Sequence, residues 1–426
     1  MSENLARRIS FFSLGLLSVS AIFAYGVAVG VYQIWPYDSL MQIKKAAEVL
    51  LVHRSTVSED LFVKPASGSP RKVISIFDDS VQKGYYAFLG WDNTGQQFSV
   101  WLYNDKGEKL HTWKVDYESL DPDNPITNAG SDVPHAMHIL RDGSLIVGFS
   151  RVARVMARLD ACGKPIWIKK GVFHHTLTED DDGAMWMWRG KGTAYGNYQY
   201  IVKFDPEDGA TLEEIDLIED IIRPLGANAV IFGVRPDFQP KNADKDYPPE
   251  NKLDIFHPNE VDVLSADMED SFPEFRAGDL LLSFRNLSLV AVIDPDSKRL
   301  KWWSEGPWRF QHDPDFTADG KISVYDNNPD RDRSEIIKID PVTRKISNDL
   351  ASGEFSFYSK WLGEHQYLPN GNVLVMSAGE GRVDVLSSNG KRLLEFNNVI
   401  SDEYNGYIQN GVWLPEDYFE HVPSCP

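Results

Sequence analysis

The sequence is poor in cysteine and in positive charge. Its 426 residues include only Cys162 and Cys425, too few for a disulfide scaffold or a zinc site built from cysteines. The 43 Lys and Arg residues are outnumbered by 63 Asp and Glu, which gives a formal net charge of −20. This negative field repels a phosphate backbone, so no nucleic-acid partner is expected. With 42% hydrophobic and 12% aromatic residues, the chain is too apolar to be disordered.

Charge is also missing from one long stretch near the N-terminus. Residues 9–34 contain no charged side chain, and about 20 apolar residues suffice for a helix to cross a bilayer. Arg7 and Arg8 precede the stretch, and basic flanks stay inside the cell. We therefore predict a cytoplasmic tail at 1–8, a transmembrane anchor at 9–34, and a membrane-proximal helix and linker at 35–69. A cleaved signal peptide is the alternative, but its apolar region usually spans only about 7–15 residues.

This anchor predicts a single-pass protein of the inner (cytoplasmic) membrane, with the rest of the chain on the periplasmic or extracellular side. That side is oxidising, so the two cysteines either pair or remain free thiols, and the sequence leaves both options open.

No long helical period follows residue ~60, and short β-rich runs separated by Gly, Asn and Pro turns replace it. Six similar units recur, in each of which strands alternate with turns and the last strand often ends in Trp or Phe. The units begin at Tyr85, Asp142, Asp182, Gly278, Asp319 and Asn370. Radial packing of such sheets buries both faces of each, which predicts an all-β fold: a six-bladed β-propeller over residues 70–426, with an insertion near 218–277. The repeated Trp and Phe are interpreted as core between blades. A pair of β-sandwiches is the alternative.

Five of the ten histidines occupy one phase of the repeat, before the turn that opens a unit. His135, His175 and His312 each precede an Asp-Gly pair by seven residues, and His365 precedes an Asn-Gly pair by five. His257 lies further upstream of its turn, across an acidic insertion that is a candidate lid. Equivalent positions in successive blades surround one axis, so we predict that these histidines face one another at the mouth of the central channel. A structural hydrogen-bonding role for each histidine is the alternative.

Arginines accompany the histidines. Arg285 lies in a Ser-Phe-Arg-Asn segment, and Arg331 and Arg333 follow an Asp-Asn pair. Imidazoles bind metals or act as nucleophile, acid and base. Arginine, however, is a poor neighbour for a divalent cation and a good bidentate partner for sulfate or phosphate. The combination favours an oxyanion over a metal, and neither a metal nor a cofactor is expected.

Three segments carry a resemblance to a known family. They are DIFHPNEVDVL…GDLLLSFRNLSLVAVIDPDSKRLKWW at 254–303, QHDPDFTADGKISVYDNN at 311–328 and FHHTLTEDDDGAMW at 173–186. In these motifs the chain resembles the bacterial aryl sulfotransferases, which use no nucleotide sulfate donor. The resemblance implies a six-bladed propeller outside the cytoplasm. It also implies transfer of a sulfuryl group from an aryl sulfate ester to a phenol, the two small-molecule partners, through a sulfated histidine.

The same resemblance implies roles for individual residues. His257 and His312 align best with the channel histidines of the family, and Arg331 (or Arg333) matches the arginine that follows its Asp-Asn motif. His365 is our prediction for the nucleophile, because it is the next histidine in the channel phase. Substrate binding is expected of five further residues: Arg333, Asn259, Arg285, His175 and His135.

Other functions stay open. The main alternative is a membrane-anchored propeller that binds a ligand or partner and catalyses nothing. A quinoprotein-like dehydrogenase is disfavoured by the count of six blades and by the lack of a clear cofactor-calcium constellation. A lactonase-like hydrolase would need oxygen ligands around calcium, to which Asn259, Glu260 and Asp313 could contribute, but a histidine-rich mouth fits it poorly.

Overall fold

The computed structural model describes residues 15, 18–29, 36, 61–66, 68–69, 72–122, 133–149, 154–190, 199–234, 255–329, 331, 333–348, 350 and 355–425. The chain divides into two compact units, Met1–Val57 and Ser58–Pro426.

In the first unit, residues 18–29 form a helix whose side chains are largely exposed. Within the described ranges, no helix combines the length and the apolar character needed to cross a membrane. The tail predicted at 1–8, the remaining part of the anchor predicted at 9–34 and most of the segment predicted at 35–69 lie outside the described residues.

The second unit confirms the predicted propeller. Its sheets form six antiparallel blades of four strands, the sixth of which gains a fifth strand at its outer edge. From the innermost strand outward, blade 1 consists of Ile408–Leu414, Tyr85–Asp92, Gln97–Asn104 and Lys109–Val115. Blade 2 consists of Pro134–Ile139, Leu145–Phe149, Val155–Leu159 and Pro165–Lys170. Blade 3 consists of Val172–Glu179, Met185–Gly190, Gln199–Phe204 and Thr211–Asp216.

The other three blades follow in chain order. Blade 4 consists of Pro258–Val263, Leu280–Phe284, Leu289–Asp294 and Arg299–Glu305, blade 5 of His312–Thr317, Lys321–Asp326, Glu335–Ile339 and Ile346–Asn348, and blade 6 of His365–Tyr367, Val373–Ser377, Arg382–Leu386, Arg392–Asn397 and Ile74–Ile76.

The predicted units start one strand later than the blades. The Asp-Gly turns at 142, 182 and 319 and the Asn-Gly turn at 370 each join the innermost strand of a blade to its second strand, so a unit that opens at such a turn omits the innermost strand. In blade 2, Asp142 and Gly143 make this turn, and Gly143 has the left-handed φ of +82° that favours glycine. The histidines that precede the turns therefore lie on, or beside, the innermost strands.

Both ends of the propeller close the ring. The strand Ile408–Leu414 pairs with Tyr85–Asp92 and supplies the innermost strand of blade 1. At the other end, Ile74–Ile76 pairs with Arg392–Asn397 at the outer edge of blade 6. A two-stranded sheet of Phe62–Val63 and Asn405–Gly406 adds a further clasp, so part of the predicted linker belongs to the propeller unit.

Burial explains which strands are continuously apolar. The second and third strands of blade 4 are buried on both faces because neighbouring blades cover them, and their sequences, LLLSF and LVAVID, show little alternation. The outermost strand of blade 2, PIWIKK, is exposed or half-buried throughout.

Tryptophans confirm the predicted core between blades. Trp113 in blade 1 donates its indole N–H to the carbonyl of Gly143 in blade 2, with N and O 2.9 Å apart. Trp167 in blade 2 and Trp302 in blade 4 donate in the same way to turns of the next blade. Each indole thus contributes apolar area and a satisfied polar atom to the blade interface.

Short helices fill several connections. They are an α-helix at Tyr117–Leu120, a π-helix at Leu217–Ile222 and 3₁₀ helices at Arg223–Phe232, Ala266–Ser271, Arg285–Leu287 and Ala378–Glu380. Blade 4's innermost strand lies inside the range predicted as an insertion, so extra residues precede and follow that strand. Ile221 and Phe232 of the preceding part are fully buried in the core beside blade 4.

A disulfide joins Cys162 and Cys425, with their Cα atoms 5.0 Å apart. This settles the pairing that the sequence left open. The bond fixes the C-terminal segment across blade 1 to a turn of blade 2. On the way, the Phe419 ring contacts Tyr85 at a centroid distance of 5.2 Å, and Arg141 lies 5.1 Å from the ring centre of Tyr418.

Replacing both cysteines by serine should destabilise the propeller, because the cross-link closes a long loop in the unfolded chain. We expect a loss of about 2–4 kcal/mol, seen as a midpoint of thermal unfolding lower by a few degrees. Reductant should lower the midpoint of the wild type to that of the double serine variant and leave the variant unchanged. Equal midpoints for the oxidised wild type and the variant would contradict a stabilising role.

Candidate functional site

The innermost strands of successive blades bring four of the predicted histidines together. The imidazole of His175 is central. Its ring centre lies 5.6 Å from that of His135, 5.7 Å from that of His257 and 6.3 Å from that of His312. Blades 2, 3, 4 and 5 each contribute one of these rings, and we call the four residues the histidine cluster.

The backbone is strained where it presents this cluster. His175 has a φ of +62°, His257 of +42° and Asp313, next to His312, of +51°. Residues with a side chain pay about 1–3 kcal/mol for such conformations, which concentrate at functional sites. The surrounding blades hold these residues in orientations that a regular strand would not provide.

Arg285 supplies a cation to the cluster. It begins the 3₁₀ helix Arg285–Leu287, directly after the second strand of blade 4. Its Nη1 donates to Nε2 of His257 at 3.1 Å, and its guanidinium lies 5.2 Å from the ring centre of Phe310. Because a guanidinium only donates, His257 must present the lone pair of Nε2 to it.

The ring of His312 is held from one side. Its Nδ1 lies 2.7 Å from Oδ1 of Asn327 and 3.1 Å from the carbonyl oxygen of Phe310. The amide nitrogen of Asn327 donates to the carbonyls of Ser359 and Leu362, which fixes Oδ1 as the atom that faces the histidine. Both partners of Nδ1 are acceptors, so the proton resides on Nδ1 and Nε2 keeps its lone pair.

Burial keeps two of these imidazoles neutral. Burial, with the nearby Arg285 charge, lowers the pKa of His312 to about 3. Burial, with the neighbouring His174 and the other three histidines of the cluster, lowers the pKa of His175 well below its usual range. Arg285 therefore brings a positive charge to a cluster in which burial disfavours further positive charge on His175 and His312.

A cavity of about 20 Å³ lies beside the cluster, enough for about one water-sized group. Three imidazoles form part of its wall, and carboxylates and amides form another part. Its lining includes His135, His175, His312, Asn259, Glu260, Asp313, Glu364 and Gln409. The predicted substrate-binding residue Asn259 donates its amide nitrogen to the carbonyl of Gln311 at 2.8 Å.

His365, the predicted nucleophile, lies apart from the histidine cluster. Its side chain is fully buried. Nδ1 donates to Oδ2 of Asp313 at 2.7 Å, while Nε2 lies 2.8 Å from Oγ of Ser323. Both ring nitrogens are therefore engaged.

The arginines after the Asp-Asn motif also lie elsewhere. Arg331 is exposed and lines a different cavity of about 570 Å³, together with Arg309, Asp326 and Asn328. Arg333 is exposed, with Nε 3.5 Å from a carboxylate oxygen of Glu335. The arginine that the fold brings to the imidazoles is Arg285.

Several site residues escaped the sequence reasoning. Asn327 holds the ring of His312, and Glu364 and Gln409 line the cavity. Asn327 belongs to the Asp-Asn motif, which predicted only the arginine that follows it. Burial raises the pKa of Asp262 to about 7, and burial with neighbouring carboxylates raises those of Asp315 and Glu364. No local pattern signalled that these carboxylates would meet.

Comparison with protein families gives one match. The model of the family described as arylsulfotransferase (ASST) matches residues 135–399, well over half of the chain. No curated protein matches the chain.

Several solved structures are similar to the chain at low sequence identity. A protein of unknown function from Bacteroides caccae is 12% identical, with a TM-score of 0.49 over 77% of this chain and 98% of its own. TolB from Acinetobacter baumannii is 13% identical, with a TM-score of 0.45 over 78% of this chain and 66% of its own. Virginiamycin B lyase from Staphylococcus aureus is 12% identical, with a TM-score of 0.35 over 62% of this chain and 69% of its own.

Arg285 should dominate the affinity of the site for a small oxyanion, because it carries the positive charge beside neutral imidazoles. Arg285→Gln should weaken sulfate binding by about 10- to 100-fold, the value of one or two charge-assisted hydrogen bonds. Isothermal titration at neutral pH measures this, and Arg331→Gln is the matched control. Equal losses in both variants, or a larger loss for Arg331→Gln, would contradict the assignment.

Proposed function

The chain belongs to the arylsulfotransferase family, and from this we propose that it transfers a sulfuryl group from an aryl sulfate ester to a phenol through a sulfohistidine. The observation that carries the proposal is the meeting of an oriented, neutral imidazole with an arginine in one histidine cluster. A neutral imidazole is a nucleophile, and a guanidinium matches the oxygens of a sulfuryl group.

We propose His312 as the acceptor of the sulfuryl group. Asn327 and the carbonyl of Phe310 hold its Nδ1–H, which leaves the lone pair of Nε2 for attack. His365 would have to give up a hydrogen bond at one ring nitrogen before it could attack sulfur. His365 stays the alternative nucleophile, and the experiment below separates the two.

The first half-reaction breaks the bond between sulfur and the phenolic oxygen. Nε2 of His312 forms a bond to sulfur, and the electron pair of the broken S–O bond leaves on the phenoxide. A histidine of the cluster gives a proton to that phenoxide, and His257 is our candidate. It takes a proton from solvent on Nε2 once Arg285 turns to the sulfuryl oxygens, acts as an acid in this imidazolium form, and is then the neutral base. In the second half-reaction the incoming phenol loses its proton to the same base, its oxygen attacks sulfur, and the N–S bond breaks.

Arg285 stabilises the transferring group. Negative charge spreads over the equatorial oxygens of sulfur as the bonds exchange, as in phosphoryl transfer. A fixed guanidinium beside the cluster lowers the barrier because it needs no reorganisation during the reaction. Asn327 acts through His312 by fixing its tautomer, and is therefore a positioning residue.

Incubating the protein with an aryl sulfate and a phenol should release the donor's phenol and leave an adduct of about 80 Da, one sulfuryl group, on the peptide that contains His312. His312→Gln should abolish the adduct and lower turnover by about 10⁴-fold or more, because the covalent route is lost. Peptide mass spectrometry after a rapid quench measures the adduct, and phenol absorbance measures turnover.

His365→Gln is the matched control, since it removes another buried histidine of the same phase. Retention of the adduct in this variant agrees with His312 as the acceptor. Loss of the adduct in His365→Gln alone would transfer the role to His365. A folded wild type that shows neither turnover nor adduct with a broad panel of aryl sulfates would sink the transferase proposal and favour a binding propeller.

We also propose that residues 9–34 anchor the protein in the inner membrane and that the propeller works on the periplasmic or extracellular side. The charge-free stretch and the preceding Arg7 and Arg8 support the anchor. The disulfide between Cys162 and Cys425 supports an oxidising compartment.

Full-length protein should remain with membranes after an alkaline carbonate wash, because an apolar span is not extracted by charge repulsion. External protease should degrade the propeller in spheroplasts without detergent. A variant with two charges in the stretch, Leu16→Lys with Ala21→Lys, should move to the wash. Full extraction of the wild type, or protection of the propeller until the cells are lysed, would overturn the proposed location.

A further inference from the structure

Beyond the histidine cluster, blades 5 and 6 bring a second set of donor atoms together. Asp313, Asp315 and His365 each offer one metal-ligating atom, and these three atoms lie within 4.8 Å of one another. Nδ1 of His365 is 2.7 Å from a carboxylate oxygen of Asp313, and its Nε2 is 3.6 Å from one of Asp315. Both aspartates belong to the innermost strand of blade 5, whose register shifts between His312 and Asp315, and the left-handed Asp313 lies within this irregular part.

The charge around this set is unbalanced. Asp315 lies within electrostatic range of four other carboxylates, those of Asp313, Asp262, Glu260 and Glu364. Throughout the part of the chain that the structure describes, no lysine or arginine forms an ion pair with Asp262, Asp313, Asp315 or Glu364. Carboxylates gathered in this way without a lysine or arginine partner form a negative site that attracts a cation.

A second observation lies on the adjoining cavity, which Asp313 also lines. Oδ1 of Asn259 and Oε1 of Gln409 belong to side chains at least 97% buried, and neither oxygen has a hydrogen-bond partner among the described residues. The amide nitrogen of Asn259 donates to the carbonyl of Gln311, which fixes the orientation of the amide. Its Oδ1 is then the atom without a hydrogen-bond partner among the described residues. Unpartnered buried acceptors beside a cavity call for a donor or a cation near them.

We propose that Asp313, Asp315 and His365 bind one divalent transition-metal cation, with Zn²⁺ or Mn²⁺ as the expected type. The imidazole disfavours Ca²⁺ and Mg²⁺, which take oxygen ligands, whereas Zn²⁺ and Mn²⁺ accept an imidazole with carboxylates. Three protein ligands leave at least one position for water or for Oγ of Ser323, which lies 2.8 Å from Nε2 of His365.

The local structure suits an entering ion. The side chain of Asp315 is 30% exposed, although it stands on an innermost strand, so the site has a solvent path. The left-handed φ of Asp313 is a strain that a metal–carboxylate bond would offset. Neutral His365 binds through one nitrogen, and the hydrogen bond at that nitrogen is exchanged for the metal bond.

This inference rests on the contacts of blades 5 and 6 and not on the proposed transfer reaction. It assigns His365 a ligand role that needs no substrate. Metal binding is measured without an aryl sulfate, so failure of one proposal leaves the other standing.

The test uses the full-length protein, stripped of metal with a chelator and then titrated with Mn²⁺ alone. We expect one bound Mn²⁺ per chain, with nitrogen coupling from one imidazole in pulsed electron paramagnetic resonance. Zn²⁺ should displace it, whereas Ca²⁺ and Mg²⁺ at the same concentration should not. His365→Gln should remove the nitrogen coupling, and Asp315→Asn should weaken Mn²⁺ binding by at least about 10-fold.

Asp319→Asn is the matched control, because Asp319 is a partly exposed carboxylate at the end of the same strand, beside Lys321. It should bind Mn²⁺ as the wild type does. Absence of stoichiometric binding by the folded wild type, binding without nitrogen coupling, or unchanged coupling in His365→Gln would each overturn the proposal. If a ligand variant does not fold, the nitrogen coupling of the wild type alone decides.

Discussion

Closure of the ring is the constraint on which the rest of this structure depends. Six sheets bury both faces only if the last sheet meets the first, and here the meeting is made by strands from opposite ends of the propeller. Ile408–Leu414 fills the centre of blade 1, and Ile74–Ile76 covers the edge of blade 6. Indole-to-carbonyl bonds then register blade 1 against blade 2, blade 2 against blade 3 and blade 4 against blade 5. A closed and registered ring turns histidines that are distant in sequence into neighbours at one axis.

The electrostatics of the site differ from those of the molecule. The chain carries a net charge of −20, yet the histidine cluster contains the guanidinium of Arg285 and two imidazoles, those of His175 and His312, that burial keeps neutral. Burial achieves this, since it removes protons from His175 and His312 and leaves Arg285 charged. The carboxylates of Glu260, Asp313 and Glu364 line the same cavity as the histidines. Groups suited to an oxyanion therefore lie next to groups suited to a cation. The adjacent residues His312 and Asp313 belong to one set each.

The fold was predictable because its signal is repeated six times. Short strands, Asp-Gly turns and terminal tryptophans together specify blades, and the common phase of His135, His175 and His312 correctly predicted that they would meet. The turns alone do not show which strand begins each blade. In blade 1 the innermost strand, Ile408–Leu414, comes from the other end of the propeller, and no turn joins it to Tyr85–Asp92. The pairing of Cys162 with Cys425 spans 263 residues and leaves no local mark. Arg285 reaches His257 through a turn between two strands, whereas Arg331 shares a motif with the site but lines another cavity.

The strand that closes the ring has a consequence for folding during synthesis. Gln409 on that strand completes the wall of the cavity. During synthesis the histidines of blades 2 to 5 are made long before this strand, and until it arrives Tyr85–Asp92 is an open edge that other chains could pair with. A nascent or prematurely terminated polypeptide thus contains the histidine cluster without this part of the cavity wall. The cavity is complete only after the final strand of the propeller has inserted.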